Sequence, residues 1–167
     1  LNRGFLVNPD KFLIDVFLAA EKVYNETDGY FDCTAYPLVK EWGFYKDILG
    51  DSVVIDSLKF KKVLGDIGFS KLTLDTHSLI LPHNMSLDFN ALAQGYTVDV
   101  IGNFLQEKNI NNYLIELGGE ILANGKNIDS RRWIVGIEKP NEVISHQDRF
   151  QFIINLDNQS LATSGNY

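Results

Sequence analysis

Leu87-Asp88-Phe89-Asn90-Ala91-Leu92-Ala93-Gln94-Gly95-Tyr96-Thr97-Val98-Asp99 places a carboxylate, an amide, small residues and a glycine where a predicted strand hands over to a predicted helix. A helix start presents unpaired backbone N–H groups and a partial positive charge, so it suits a phosphorylated ligand. From here apolar residues at Ala91, Leu92, Tyr96, Val100, Phe104 and Leu105 recur with helical period, predicting a helix over Ala91 to Lys108 capped by Asn90.

Upstream, Phe12, Leu13, Val16, Phe17, Ala20, Val23 and Tyr24 share that period, with Asn8 as the expected N-cap, Pro9 at the first helical position and Asp28-Gly29 as the stop. Gly29 to Thr34 reads as extended, Pro37 opens a short helix through Trp42, and Leu58 to Asp66 forms another, closed by Gly68. Lys71 to Leu74 and Leu79 to Leu81 alternate around a polar turn and predict a hairpin.

Downstream, Tyr113 to Leu117, Glu120 to Ala123, Trp133 to Ile137 and Phe150 to Leu156 have strand composition and are separated by turn residues. Without strand–helix alternation or internal repeats, the pattern gives an α+β chain with a largely antiparallel sheet and packed helices.

Composition narrows the function. A chain of 167 residues with 45% hydrophobic and 22% charged residues is expected to be one globular domain, burying roughly 70% of its unfolded surface. A net charge of -7, with no Lys/Arg-rich run, argues against a nucleic acid or an anionic membrane as the main partner. The single cysteine, Cys33, excludes an internal disulfide and a cysteine-based zinc site; it packs as a small apolar residue or serves as a reactive thiol.

No apolar run approaches the roughly 20 residues needed to span a bilayer, and no signal peptide is visible. The chain starts at Leu1 rather than Met and stops at Tyr167, so it reads as a piece of a longer protein.

Four segments concentrate small and polar residues: Thr27 to Pro37, Asp88 to Asp99, Leu117 to Glu120 and Leu161 to Tyr167. Gly118-Gly119 is a bulge, a tight turn or a ligand platform. Asp88 forms a local turn or meets a ligand at the helix start; Gln94 bonds a ribose or base, or faces solvent. Asp99 lies about 140° round the helix from Gln94, so the two need not share a site. Tyr36 and Trp42 stack on a ring system or belong to the core, and Arg131-Arg132 forms a solvated turn or contacts an anion.

His77, His83 and His146 lack metal-ligand spacing and an apparent Ser or Cys partner. GxGxxG, GxxxxGK[ST] and GxSxG are all absent, which removes the signatures of the common dinucleotide, P-loop and hydrolase sites.

In order and spacing these segments resemble the ApbE family of FAD:protein FMN transferases. Asp28-Gly29-Tyr30-Phe31-Asp32 with Thr34, Pro37-Leu38-Val39 and Trp42-Gly43-Phe44 resembles the family's G-x-F-D-x-T-x-x-P-L-V…W-G-F block. Asp88 to Asp99 resembles D-x-x-x-I-A-K-G-Y-x-V-D; Gly118-Gly119-Glu120 and Ala162-Thr163-Ser164-Gly165-Asn166-Tyr167 resemble G-G-[DE] and A-T-S-G-x-Y. The four blocks span nearly the whole chain, which is far more specific than any one of them.

The resemblance implies an ApbE-like domain, here residues 1–167 of it, that holds FAD and, with Mg²⁺, passes FMN to a threonine hydroxyl of an acceptor flavoprotein, releasing AMP. Carried over, Ala35, Tyr36 and Pro37 line the FAD site, Asp88 and Gln94 contact the cofactor, and the Ala91 carbonyl faces Mg²⁺. Gly118 and Gly119, with Thr163, Ser164 and Gly165, let backbone approach the flavin. An acidic chain handling a pyrophosphate calls for a hard divalent cation on oxygen ligands. The resemblance also implies an extracytoplasmic, membrane-anchored parent protein.

Two departures qualify this. Gln94 stands where the family has lysine, which removes a charge-assisted bond. The family's remaining metal ligands, an Asp and a Thr in a D-A-x-x-T block, are expected beyond Tyr167, so the 167-residue piece is expected to bind Mg²⁺ poorly and transfer little FMN. Its sheet is also expected to leave apolar surface that favours association. The alternatives are a non-catalytic FAD-binding module and an unrelated α+β domain whose small-residue segments are turns.

Overall fold

A computed structural model describes residues 5–44, 57–75, 78–139 and 149–165. They divide into two compact units, one ending at Leu92 and the other starting at Ala93.

In the first unit, strand β1 (Phe5–Val7) precedes helix α1 (Lys11–Glu26). Asp10, not Asn8, caps α1: its carboxylate accepts from the Leu13 N–H at 2.8 Å, while Asn8 sits at φ +52°, displacing the helix start past Pro9. Asp28 and Gly29, both at positive φ, end the helix, and the Gly29 N–H donates back to the Tyr24 carbonyl at 2.9 Å.

The expected extended run to Thr34 is instead a turn leading into a 3-10 helix over Cys33–Ala35. Asp32 causes the difference, because its side chain accepts from the Thr34 N–H and curls the backbone locally. Helix α2 (Tyr36–Glu41) carries Pro37 in its first turn and ends at Trp42. Helix α3 (Ser57–Gly65) joins α2 through Lys59–Glu41 at 2.7 Å and an edge-on Trp42–Phe60 contact. Trp42 is otherwise 54% exposed, which makes it a surface residue rather than core.

The expected hairpin forms as β2 (Thr73–Leu74) and β3 (Ser78–Ile80); its turn residues Thr76 and His77 lie outside the described residues. Strand β1, unforeseen, completes an antiparallel β1–β3–β2 sheet. Phe17, Ala20, Cys33, Phe69, Leu79, Leu81, Met85 and Leu87 form the core beneath it, with Phe69 ring-packed against Phe17 and Tyr24.

Helix α4 (Asn90–Glu107) contains the division between the units. Asn90 is its first residue rather than its cap, and Asp88, two residues upstream, leads the chain into the helix through an Asx turn by accepting from the Asn90 N–H at 2.8 Å. The fully buried positions of α4 are Val98 and Gly102, not the whole expected stripe: Ala91 is exposed and Phe104 is 54% exposed. Gly102 faces Leu122 and Tyr113, where a Cβ would come within 2.6 Å of Leu122 Cδ2. The closest approach therefore selects the smallest residue instead of the apolar stripe.

In the second unit, β4 (Tyr113–Leu117), β5 (Glu120–Asn124) and β8 (Gln159–Ala162) make an antiparallel sheet in the order β4–β5–β8. β6 (Trp133–Glu138) and β7 (Phe150–Leu156) pair antiparallel as a ribbon. Trp133, Val135, Ile154 and Leu156 share the ribbon face that packs on Ile121, Ala123 and Leu161. Every described strand pair is antiparallel, as the α+β assignment requires.

Candidate functional site

In the first unit, Ala35 and Tyr36 line a cavity of about 210 Å³ together with Asp32, Asp88, Asn90 and Ala91. Residues more than fifty positions apart in the chain thus share one wall. The Asp88 N–H donates to the Cys33 carbonyl at 2.8 Å, which holds the 3-10 turn beside the start of α4. Pro37 is half-buried in α2 and does not line this cavity.

Phe31, Cys33 and Val39 complete the walls and escaped the sequence reading, which gave them no polar chemistry to notice. Cys33 is 3% exposed, and its thiol is pushed up to about 12, first by burial and then by the charges of Asp32 and Asp88. It therefore packs as an apolar residue, and the reactive-thiol alternative is set aside.

In the second unit, Gly118 and Gly119 form the two-residue turn of the β4–β5 hairpin, at φ +58° and +96°. Two positive φ values in succession are what such a loop demands, so the tight-turn reading holds. The turn also makes close approaches: a Cβ on Gly118 would lie 2.6 Å from Gln94 Nε2, and one on Gly119 would lie 2.6 Å from Thr163 Oγ1. Thr163 Oγ1 donates to the Gly119 carbonyl at 3.1 Å, and the Gly119 N–H donates to Glu116 Oε1 at 3.2 Å.

Gln94, Gly118, Gly119 and Thr163 are thus one neighbourhood. Gly119 and Thr163 also line a cleft of about 590 Å³, with Glu116, Ile121, Val135 and Leu161 among the other walls. Ser164 and Gly165 are exposed and do not line it. Glu116 was missed because an alternating strand position gives no hint that its carboxylate bonds a turn N–H.

Arg132 pairs with Asp157 at 3.2 Å, and His83 is exposed; His146 lies outside the described residues. Asp99 lines a separate cavity of the second unit with Gly102, Asn103 and Gln106, whereas Gln94 does not.

The first cavity is smaller than the roughly 300–1,000 Å³ of ordinary ligand sites, so it admits part of a dinucleotide; the cleft falls within that range. A metal fares worse. Among the described residues no group of three or more His, Cys, Asp or Glu could hold one, and Asp88 Oδ1 already accepts a backbone N–H. The described residues thus hold no all-protein cage; Mg²⁺ is commonly held by one or two carboxylates together with substrate phosphates, and Asp32 and Asp88 on the first cavity wall are the carboxylates that would supply the protein part.

The family model described as the ApbE family matches residues 1–167. The chain belongs to the ApbE family. It is 32% identical over 158 residues to the FAD:protein FMN transferase of Haemophilus influenzae, covering 91% of this chain and 44% of that protein. To the enzyme of the same name from Vibrio cholerae it is 36% identical over 155 residues, covering 92% and 45%.

Among solved structures, the Pseudomonas stutzeri flavinyl transferase ApbE, apo form, is similar with a TM-score of 0.80 and 29% identity, over 99% of this chain and 51% of that one. The chain spans about half the length of the curated relatives it matches. The ApbE-like α+β fold expected from the four blocks is therefore the fold observed.

Proposed function

We propose that this chain supplies flavin-binding elements of an FAD:protein FMN transferase. In that reaction the hydroxyl oxygen of an acceptor threonine attacks the phosphorus on the riboflavin side of FAD. A new phosphoester bond forms, the bond to the bridging oxygen breaks, AMP leaves with that oxygen, and the hydroxyl proton passes to solvent or a base. Such a transfer needs positioning and charge neutralisation more than covalent help from the protein.

The supporting observation is the shared wall of Ala35, Tyr36, Asp88 and Ala91 around one cavity, in a chain whose family relatives carry the transferase name. Tyr36 offers a ring face, and Asp88 offers a carboxylate oriented by its bond to the Asn90 N–H. Gln94, Gly118, Gly119 and Thr163 add a second neighbourhood, in which the Gln94 amide and the Thr163 hydroxyl pack directly on the glycine turn. For Mg²⁺, the cavity carboxylates Asp32 and Asp88 together with the phosphates of FAD would supply oxygen ligands.

An extracytoplasmic, membrane-anchored location belongs to the same proposal and rests on the resemblance; no helix among the described residues is long and apolar enough to cross a membrane. The test is titration of the intact protein with FAD, followed by acceptor flavoprotein and Mg²⁺, with AMP and covalent flavin measured. Binding with AMP release supports transfer. Binding without AMP supports the non-catalytic module, for which the neutral Gln94 is the specific observation, and absence of FAD binding rejects both.

A further inference from the structure

Thr34 is the polar side chain buried in the core of the described residues, at 0% exposure. Its hydroxyl donates to Asp32 Oδ1 at 2.6 Å and accepts from the Gly68 N–H at 2.8 Å. Asp32 Oδ1 also accepts from the Thr34 N–H at 2.8 Å, and Asp32 Oδ2 accepts from the Phe69 N–H at 3.2 Å. The two side chains therefore tie the 3-10 turn to a segment 34 and 37 residues away.

Their position gives the pair its meaning. They flank Cys33, whose carbonyl accepts from Asp88, and they immediately precede the cavity residues Ala35 and Tyr36. An apolar side chain would fill this volume without needing partners, whereas hydrogen bonds impose direction. Asp32 itself lines the cavity, so the brace and the wall are continuous.

We infer that Asp32 and Thr34 are positioning residues: through the Gly68–Phe69 segment they fix the turn that sets Ala35 and Tyr36 on the wall of the ligand cavity and holds the Cys33 carbonyl against the Asp88 N–H. The inference rests on the flavin reading above. It assigns the pair no contact with the reacting atoms.

The test measures the FAD dissociation constant of the intact protein and three variants, at a temperature where all are folded. Thr34→Val removes the hydroxyl at nearly constant volume, Thr34→Ser keeps it, and Leu79→Val loosens the same core without removing a hydrogen bond of the brace. FAD affinity is expected to fall on the order of tenfold in Thr34→Val, the factor that one lost buried hydrogen bond produces. Thr34→Ser is expected to restore binding, and Leu79→Val to leave it unchanged even where its melting temperature falls as far.

Equal affinity in Thr34→Val and the unsubstituted protein overturns the inference, as does equal weakening by Leu79→Val. If Thr34→Val fails to fold, Thr34→Cys, which keeps the volume and weakens both hydrogen bonds, takes its place with the same two outcomes. Failure of the unsubstituted protein to bind FAD rejects the flavin reading itself, and is visible before any variant is made.

Discussion

The Asp88 N–H donates to the Cys33 carbonyl across 2.8 Å, joining two sequence blocks that lie 55 positions apart in the chain. The same Asp88 then turns its carboxylate to the Asn90 N–H and starts α4. One residue thus links the 3-10 turn to the helix through its backbone and forms the Asx turn that leads into the helix through its side chain. The two roles separate by substitution.

Asp88→Ala leaves the backbone bond intact but removes the Asx-turn acceptor of the Asn90 N–H, and is expected to destabilise the fold by about 1 kcal/mol. Asp88→Asn keeps an acceptor oxygen and is expected to stay within about 0.5 kcal/mol of the original. Urea unfolding measures both. If Asp88 also meets the flavin, Asp88→Asn lowers FAD affinity without a matching loss of stability.

Cys33 sets an alkaline limit. Its folded-state thiol is raised from 9.0 to about 12, so the unfolded chain releases its proton at lower pH than the folded one. The stability this confers is complete below pH 9 and falls by about 1.4 kcal/mol per pH unit as pH rises from 9 towards 12. Cys33→Ala is expected to flatten that slope in unfolding curves between pH 8 and 11. At pH 8 the native thiol is expected to resist alkylation that the denatured chain accepts.

Gly119 holds φ +96°, with Thr163 Oγ1 beside the place a Cβ would occupy. Gly119→Ala is expected to cost about 1–3 kcal/mol from backbone strain, plus displacement of the Thr163 hydroxyl. Adding Thr163→Ala is expected to recover only the second part. A double-mutant cycle by chemical unfolding separates them.

What could be read in advance follows from how local the determinants are. α1 announces itself because Val16, Phe17 and Ala20 meet a core at helical spacing; α4 is legible as a helix from its apolar period, but the stripe read from Ala91 to Leu105 omits its buried positions Val98 and Gly102. Strands β1 and β8 escaped notice: β1 is three residues long, and β8 pairs Gln159 and Ser160 through backbone bonds that need no apolar pattern. The run from Gly29 to Thr34 is read as extended because composition does not show that Asp32 bonds the Thr34 N–H, nor that Thr34 and Asp32 accept from the distant Gly68 and Phe69 N–H groups, a tertiary fact. Of the candidate site, the sequence shows the residue types in four blocks. The sharing of one wall by Tyr36 and Asp88 became visible only with the fold.

Gln94 offers a gain-of-function test. It is exposed, and its amide lies beside Gly118. Gln94→Lys supplies the charge that the ApbE resemblance leads one to expect. Stability is expected to change by less than about 0.5 kcal/mol, while FAD affinity rises severalfold at low salt and the gain shrinks as salt is added. Isothermal titration at two ionic strengths checks both.

The most direct test of the central claim is stoichiometric: the intact protein is given FAD, Mg²⁺ and an acceptor flavoprotein, and AMP is counted against flavin fixed covalently to the acceptor. One AMP per bound FMN, with FAD saturable and binding weakened by Asp88→Asn, is the predicted result. Flavin that never binds, or AMP released without any covalent flavin, would contradict it.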